Sequence, residues 1–305
     1  MRPEIESRPA LAAPPPPTSS LPATWTVLDV VRWTTARFAE RGLGTPRLDA
    51  ELLVAHVLGL PRLQLYVQFE RVLTPEELGV LRDMIKRRQG GESIAYLTGR
   101  KEFWKFELCV DARVLVPRPD TETLVEEALA RLGEPGDVPA RIADVGTGSG
   151  ALAITLAKVR GAAAVFAGDV SAGALEVARA NAERLGAAVT FVEGDLGAPL
   201  AAHAPFTLIV ANLPYIPTGE LAALSADVRT EPAVALDGGV DGLDLVRRLV
   251  AEAPGLLAPG GVLALEIGAG QAEATRALLQ AAAFTDVQTR RDLAGIERVV
   301  SGVKP

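Results

Sequence analysis

The sequence predicts an α/β protein in which a Rossmann-like, mostly parallel sheet follows a small N-terminal helical domain. Three observations support this prediction. Helical periodicity without strand alternation covers residues 24–92, short apolar runs alternate with amphipathic segments from Arg141 onward, and a glycine-rich turn follows the first of these runs. Alternation of strands and helices is typical of a parallel sheet that is covered by helices on both faces.

The composition narrows the classes of protein to which the chain can belong. Hydrophobic residues make up 49% of its 305 residues, which is enough to form a substantial core. A net charge of −7 disfavours direct nucleic-acid binding through neutralisation of phosphates. The single cysteine, Cys109, cannot form an internal disulfide, and two separated histidines are too few for a zinc site. No metal is therefore expected.

The location of the protein is predicted from its apolar segments. No segment reaches the roughly 18 consecutive apolar residues of a membrane span. Residues 1–23 carry charged residues and the proline run Pro14–Pro17, without the apolar core of a signal peptide, and are predicted to form a disordered leader. A cytoplasmic location without membrane association is expected.

The N-terminal domain is predicted to be helical over residues 24–92. Its first helix is expected from Thr26 to about Arg41, because the apolar residues of this segment share one helical face. Pro46 begins a second helix. The segment Thr74–Glu77 has the pattern of a capping box with proline at the first helical position, which predicts the start of another helix.

Residues 93–118 are predicted to link the two domains through a β-hairpin. Alternating apolar residues over 102–116 indicate two short strands with a turn near Asp111. A helix from Thr121 to Leu132 then opens the second domain, which is predicted to span residues 119–305.

The second domain is predicted to alternate strands with helices. The predicted strands are Ile142–Val145, Ala164–Asp169, Val189–Glu193, Thr207–Ala211 and Val262–Ile267. The predicted helices span 150–160, 172–185, 242–258 and 270–283. Ligands of such sheets bind beyond the carboxyl ends of the strands, so the loops that follow these strands are the candidate sites.

A glycine-rich turn follows the first strand of the second domain. Glycines allow a ligand to approach the backbone closely and to meet the N–H groups at the start of the next helix. The G-x-G-x-G spacing differs from the G-x-G-x-x-G of dinucleotide-binding proteins, which weakens a nicotinamide interpretation. The candidate ligand-binding residues are Asp144, Gly146, Thr147, Gly148, Ser149 and Gly150.

The next two strands end in acidic residues that are suited to an adenosyl group. Asp169 follows the glycines by about twenty residues, where a carboxylate accepts the hydroxyl hydrogens of a ribose. Asp195 is positioned to accept from an adenine amino group, and Leu196 offers an apolar edge to its ring. Adenosyl cofactors and NAD would both use Asp169, and a plain turn is the structural alternative for Asp195.

The fourth strand ends in Asn212-Leu213-Pro214-Tyr215, which is the most specific signal. A planar NH2 group is a poor nucleophile, because its lone pair is delocalised, and its two hydrogens must be held by acceptors. The Asn212 side-chain oxygen and the Leu213 carbonyl can accept one hydrogen each, and Pro214 restricts Leu213 to an extended conformation. Tyr215 offers a face on which the planar group can stack.

This loop predicts a methyltransferase that uses S-adenosyl-L-methionine. The sulfonium of that cofactor is already a strong electrophile, so alignment of the nitrogen supplies most of the catalysis and no strong base is needed. The predicted catalytic residues are Asn212, Pro214 and Tyr215, and Asn212 is also expected to border the cofactor.

At this point the chain resembles the bacterial peptide chain release factor glutamine methyltransferases (HemK/PrmC). The resemblance extends from about Asp49 to the C-terminus and rests on several segments. These segments are Asp49-Ala-Glu-Leu-Leu, Ala95-Tyr-Leu-Thr-Gly99, Val116-Pro-Arg-Pro-Asp-Thr-Glu122, Glu231-Pro232 with Gly238-Gly239-Val-Asp241-Gly242, Leu265-Glu-Ile-Gly268 and Asp292-Leu-Ala-Gly295.

The resemblance implies a class I methyltransferase fold with a seven-stranded sheet, and methyl transfer to the glutamine side-chain amide (N5) in the Gly-Gly-Gln motif of release factors. Carried over by position, the glycine turn, Asp169 and the Asp195-Leu196 pair would hold the cofactor. The loop Asn212–Tyr215 would hold the glutamine amide, and Arg118 with Glu122 would border the same cleft. The N-terminal helices would dock the release factor.

One residue departs from the family pattern. The family ordinarily has proline where this chain has Leu213, and the spelling Asn-Leu-Pro-Tyr is associated with ribosomal RNA adenine dimethylases. An adenine amino group and a glutamine amide are both planar NH2 groups, so an N6-adenine RNA or DNA methyltransferase is the alternative. A non-catalytic binding module on the same fold is a further alternative.

Overall fold

The computed structural model describes residues 24–134 and 139–305. The chain divides into two compact units, the first ending at Arg82 and the second spanning Asp83–Pro305. The predicted leader, residues 1–23, lies outside the described residues. None of the described helices is long and apolar enough to cross a membrane.

The first unit is helical, and capping boxes begin its first and its last helix. Thr26 caps the first helix by accepting from the Asp29 amide while Asp29 accepts from the Thr26 amide, so a second capping box accompanies the predicted one. The predicted box is confirmed, because Thr74 and Glu77 exchange the same two hydrogen bonds at 2.9 and 3.2 Å. The helices are α1 (Val27–Glu40), α2 (Pro46–Leu58), α3 (Gln64–Val67) and the beginning of α4 (Pro75–Gln89).

A buried carboxylate holds the short helix α3 in the first unit. Glu51, on α2, is 1% exposed and accepts hydrogen bonds from Arg47, Arg62 and Tyr66 at 2.8 to 2.9 Å. Leu63 and Val67, at the two ends of α3, are 73% and 81% exposed. Glu51 therefore fixes the position of α3, and α3 exposes the apolar side chains of Leu63 and Val67.

The division between the two compact units falls within α4, and the domain boundary after residue 92 stays a prediction. Residues 83–92 belong to the second unit. Gly91 shows why: with φ of +103°, its Cα lies so close to Ala226 that a Cβ there would be 2.9 Å from the Ala226 Cβ. The end of α4 is thus tied to the second unit by close backbone packing.

A two-stranded antiparallel hairpin follows the short helix α5 (Ile94–Thr98). Strands β1 (Arg100–Phe103) and β2 (Phe106–Cys109) are joined by a turn in which Trp104 has φ of +57°. The predicted turn near Asp111 was wrong, because the hairpin closes before that residue. Asp111 instead begins a separate turn, closed by the Val114 amide donating to the Asp111 carbonyl.

The second unit contains the seven-stranded, mostly parallel sheet that the family resemblance implied. The strand order is β5-β4-β3-β6-β7-β9-β8, and only β9 runs antiparallel to its neighbours. The strands are β3 (Arg141–Val145), β4 (Ala164–Asp169), β5 (Val189–Glu193), β6 (Phe206–Ala211), β7 (Leu257–Glu266), β8 (Thr285–Arg291) and β9 (Glu297–Val303). The helices are α6 (Glu122–Leu132), α7 (Ala151–Val159), α8 (Ala172–Leu185), α9 (Asp244–Leu256) and α10 (Ala272–Ala281).

The sheet is buried on both faces, as its apolar strands predict. On β6, Leu208 and Val210 pack in the cluster that includes α6 and α7, whereas Ile209 and Ala211 pack in the cluster that includes α9 and α10. Strand β3 pairs with both β4 and β6, so the order of the strands reverses at β3. A ligand cleft forms at such a reversal, beyond the carboxyl ends of the strands.

Candidate active site

A cavity of about 310 Å³ lies at the reversal of strand order. Loops after four parallel strands and the segment before α6 form its walls. Most predicted site residues line it, namely Arg118, Gly146, Thr147, Gly148, Ser149, Asp169, Asp195, Leu196, Asn212, Leu213 and Pro214. Four predicted residues, Glu122, Asp144, Gly150 and Tyr215, do not line it.

The turn between β3 and α7 contains Gly146, Gly148 and Gly150, and each of them is required for a different structural reason. All three have positive φ, which favours glycine. A Cβ on Gly148 would meet no atom within 4 Å, so this residue exposes its backbone to the cavity. A Cβ on Gly150 would lie 2.8 Å from the Ile154 Cδ1, so this residue permits close packing instead. A Cβ on Gly146 would lie 3.2 Å from the Leu213 Cδ2, which places the turn in contact with the loop after β6.

Asp144 supports the glycine turn from within the protein. Its side chain is fully buried, and Oδ2 accepts from the Thr147 hydroxyl at 2.7 Å and from the Ala153 amide at 3.1 Å. Its Oδ1 has no partner among the described residues. Burial raises the pKa of Asp144 to about 7, against these two hydrogen bonds. The carboxyl therefore fixes the shape of the turn without reaching the cavity.

Asp169 lines the cavity at the end of β4. Its Oδ2 accepts from the Gly148 amide at 2.8 Å, and its Oδ1 accepts from the Ser171 amide at 2.9 Å. Each carboxylate oxygen has a further lone pair, so both can still accept from a ligand. Asp169 thereby orients the glycine turn and offers two acceptors to the cavity.

Asp195 and Leu196 follow β5 and form the far wall of the cavity. Leu196 is 8% exposed and has φ of +47°, a conformation that leucine rarely adopts. Asp195 pairs with Arg248 at 2.5 Å, and both side chains are about half exposed. This exposed pair leaves Asp195 accessible, because water screens the attraction.

The loop after β6 carries Asn212 into the cavity. Asn212 is half-buried, and its Nδ2 donates to the Thr121 Oγ1 at 3.1 Å. Leu213 is 4% exposed and Pro214 lines the cavity beside it. Because the amide nitrogen of Asn212 is engaged by Thr121, its Oδ1 is available as the acceptor for another group.

Tyr215 supports this loop without lining the cavity. A Cβ on Gly268 would lie 3.1 Å from the Tyr215 Cδ2, so the ring packs directly on that glycine. The Tyr215 carbonyl accepts from the Gln271 Nε2 at 3.0 Å. Burial, together with the negative charge of Glu266, raises the pKa of the Tyr215 hydroxyl to about 12, so the ring stays neutral.

Arg118 and Glu122 take separate positions. Arg118 lines the cavity and pairs with Glu231, whose side chain is 1% exposed and also accepts from the Val116 amide at 3.2 Å. Burial raises the pKa of Glu231 against this pairing. Glu122 instead accepts from the Trp104 amide at 2.7 Å and holds the hairpin turn. The family resemblance implied one cleft for both residues because they lie in the same resembling segment, Val116–Glu122.

Thr121 and Glu266 belong to the site but were not predicted as site residues. Glu266 ends β7 and is 1% exposed. Burial raises its pKa to about 7, while hydrogen bonds from Thr121 and Asn212 and the charge of Arg298 act in the opposite direction. Both residues lie in segments on which the family resemblance rests, and this resemblance was the one feature of the sequence that could have identified them as site residues.

Comparison with known families and proteins agrees with this architecture. The PrmC N-terminal domain family matches residues 29–99, and a methyltransferase domain family matches residues 142–230. The release factor glutamine methyltransferase of Geobacter sulfurreducens is 45% identical over 282 residues, which cover 92% of this chain and 98% of that relative. The protein of the same name from Moorella thermoacetica is 46% identical over 265 residues, covering 86% of this chain and 93% of that relative.

A solved structure supports the fold. The crystal structure of a methyltransferase from Pyrococcus furiosus matches with a TM-score of 0.50 and 19% identity, covering 65% of this chain and 88% of that one. At this identity the similarity concerns the fold alone.

Proposed function

The chain belongs to the release factor glutamine methyltransferase family, and we propose that it transfers a methyl group from S-adenosyl-L-methionine to the N5 amide nitrogen of the glutamine in the Gly-Gly-Gln motif of peptide chain release factors. The observation that carries this proposal is 45% identity to a protein of that name over 98% of its length. The substrate is a protein, and we expect the reaction in the cytoplasm, where translation ends.

The cavity fits an adenosyl cofactor. Gly148 leaves open space where any other residue would place a side chain, and the Asp169 oxygens keep free lone pairs for ribose hydroxyls. Asp195 and the buried Leu196 provide an acceptor and an apolar wall for an adenine ring. When bound, S-adenosyl-L-methionine supplies a methyl group that is activated by its sulfonium. The rest of the turn, Gly146 to Ser149, would frame the same group.

Asn212 and Leu213 would hold the substrate amide. The Asn212 Oδ1 accepts one amide hydrogen and the Leu213 carbonyl accepts the other, which points the nitrogen lone pair at the methyl group. Pro214 keeps Leu213 extended, so the carbonyl is fixed in direction. Tyr215, packed on Gly268, supports the loop from behind.

Arg118 and the N-terminal unit would recognise the release factor. Arg118 lines the cavity while Glu231 holds its guanidinium, which fixes a cation for contact with the substrate chain. In the N-terminal unit, α3 presents the exposed Leu63 and Val67 on a base fixed by Glu51. An apolar surface of this kind suits a folded protein partner.

The function is tested by offering the chain labelled S-adenosyl-L-methionine with three substrates in separate reactions: a release factor, ribosomal RNA and duplex DNA. We expect label only in the release factor, and only at the glutamine of its Gly-Gly-Gln motif. A release factor with Gln→Asn in that motif is the matched control and should stay unlabelled. Label in RNA or DNA would instead support the adenine alternative, and a chain that binds the cofactor without labelling any substrate would be a binding module.

A further inference from the structure

Glu266 is a buried carboxyl for which the proposed cofactor and substrate contacts have no use. It is 1% exposed, and its Oε2 has no hydrogen-bond partner among the described residues. Burying a carboxylate with an unsatisfied oxygen is costly. Glu266 is therefore not explained by a contribution to the stability of the fold.

The sheet places Glu266 beside Asn212. Ala211 and Leu265 are register partners in the adjacent parallel strands β6 and β7. The residues that follow them, Asn212 and Glu266, therefore lie side by side at the carboxyl edge of the sheet. Thr121, which is 4% exposed and precedes α6, accepts a hydrogen bond from the Asn212 Nδ2 at 3.1 Å. The Thr121 hydroxyl and the Asn212 amide both act on the Glu266 carboxyl, where they lower its pKa against the effect of burial.

The chemistry of the Thr121 hydroxyl links the two side chains. A hydroxyl has one hydrogen to donate, and an ionised carboxylate can only accept. When Thr121 donates its hydrogen to Glu266, only its lone pairs remain for Asn212. Asn212 must then present its Nδ2 to Thr121, and the Glu266 carboxylate favours the same orientation because it also can only accept from Asn212. The Asn212 Oδ1 therefore turns away to the other side.

We propose that Glu266 is a positioning residue: its carboxylate fixes the Thr121 hydroxyl as an acceptor, and thereby orients the Asn212 amide with its Oδ1 towards the substrate nitrogen. This inference rests on the proposed function of Asn212. It adds a specific requirement, which is that Glu266 be ionised for the methyl-accepting group to be aligned.

The charged residues around Glu266 influence its pKa, and therefore the pH above which its carboxyl is ionised. Arg298, on β9, is 8% exposed and pairs with Asp292 at 3.2 Å and with Asp120 at 3.3 Å. Its positive charge favours the Glu266 carboxylate, whereas Asp120 disfavours it. The neighbouring Tyr215 is neutral. Burial dominates these effects and raises the pKa of Glu266 to about 7.

Protonation would reverse the hydrogen bonds. A protonated Glu266 can donate to the Thr121 oxygen, which frees the Thr121 hydrogen to donate to the Asn212 Oδ1. The Asn212 amide would then turn its nitrogen towards the substrate and repel the amide hydrogens. Turnover is therefore expected to fall as the pH decreases below about 7.

The test measures kcat against pH, from pH 5.5 to 9, for the wild type, Glu266→Gln, Thr121→Val and Thr121→Ser. We expect an acid limb in the wild type that Glu266→Gln lacks, with kcat of that variant lowered about ten- to a hundredfold at pH 8. Thr121→Val should lose kcat to a similar degree, and Thr121→Ser should restore it. The dissociation constant of S-adenosyl-L-methionine should change less than about threefold in all three variants.

Glu127→Gln is the matched control, because Glu127 is also a buried carboxyl but bonds to Ser301 and Arg131 away from the cavity. Its acid limb should equal that of the wild type. An unchanged acid limb and kcat in Glu266→Gln would overturn the proposal, as would equal activity of Thr121→Val and Thr121→Ser.

A second measurement does not depend on turnover. The ¹⁵N and ¹H signals of the Asn212 side-chain amide should shift with a midpoint near pH 7 in the wild type, and should not shift in Glu266→Gln. Failure of the wild type to label a release factor would refute the proposed function and leave this titration to be judged separately. Absence of the titration would refute the positioning role even if labelling succeeds.

Discussion

Arg118 on the cavity wall lies 2.5 Å from Glu231, a residue 113 positions later in the chain. The Glu231 carboxylate is almost completely buried, and its second oxygen holds the Val116 amide. The pair thus joins the segment before α6 to the loop after β6. The two side chains differ in exposure: that of Arg118 is 34% exposed, whereas that of Glu231 is 1% exposed.

Removal of Arg118 should lower both the free energy of unfolding and the affinity for the substrate. Arg118→Ala leaves the Glu231 carboxylate buried without its partner, so we expect the free energy of unfolding to decrease by about 1–3 kcal/mol, given the partial exposure of the pair. Adding Glu231→Gln to this variant should recover part of the loss. Urea denaturation of the two single variants and the double variant measures this coupling. Additive losses would show that the pair contributes nothing.

Asp169→Ala should weaken binding of S-adenosyl-L-methionine about ten- to a hundredfold, because the Gly148 amide loses its acceptor and, in the proposed function, so do the ribose hydroxyls. Asp195→Ala should weaken it less, since Asp195 is about half exposed and already paired with Arg248. Titration calorimetry on both variants compares the losses. The assignment of Asp169 fails if its variant binds as tightly as the wild type.

Asn212→Ala should lower turnover at least about a hundredfold while the cofactor dissociation constant changes less than about threefold, because the lost hydrogen bond aligns the nucleophile. Leu213→Pro is the control: the carbonyl at this position survives, so we expect kcat within about fivefold of the wild type. Initial rates with saturating cofactor and release factor test both. Strong loss of activity in Leu213→Pro would mean that the leucine side chain shapes the substrate pocket.

The buried Glu266 should make stability depend on pH. Its pKa is raised in the folded protein from 4.5 to about 7, so the folded state binds more protons than the unfolded state between these values. The wild type should therefore lose stability relative to Glu266→Gln as the pH rises from about 4.5 to 7, by up to about 3 kcal/mol, and the difference should then remain constant. Denaturation midpoints at several pH values test this. A constant difference from pH 4 to 8 would show that the pKa is not raised.

The first unit should be needed for the protein substrate and not for the cofactor. All proposed cofactor contacts lie after Pro117, so a chain that begins at Asp83 should bind S-adenosyl-L-methionine with an unchanged dissociation constant. Its kcat/KM on an intact release factor should fall at least about tenfold, and less on a short Gly-Gly-Gln peptide. Circular dichroism must first show that the shortened chain is folded. A chain lacking only residues 1–23 is the control and should behave like the full chain.

The parts of the fold that follow a local pattern were predictable. Apolar runs of four to six residues gave β3 to β6, and the box Thr74–Glu77 gave the start of α4. The hairpin turn was predicted at the wrong position because Trp104 adopts a left-handed conformation, and no residue pattern in this segment predicts that conformation. Strands β8 and β9 were not identified individually, since polar residues interrupt their apolar pattern.

The candidate site was predictable where chemistry requires a particular residue at a strand end. Asp169 ends β4, Asn212 directly follows β6, and both line the cavity. Glu266 also ends a strand, but its position beside Asn212 depends on the pairing of Ala211 with Leu265, which the sequence does not specify. The separation of Glu122 from the cavity likewise depends on the hairpin, whose Trp104 amide it binds.

The contact between Gly146 and Leu213 limits how these two positions can evolve. A methyl group at residue 146 would approach the Leu213 side chain to 3.2 Å, in addition to the strain of a positive φ. The Leu213 side chain therefore fills the space that Gly146 leaves. A side chain at 146 would therefore require a smaller residue at 213, so a substitution at one of these positions constrains the residue at the other.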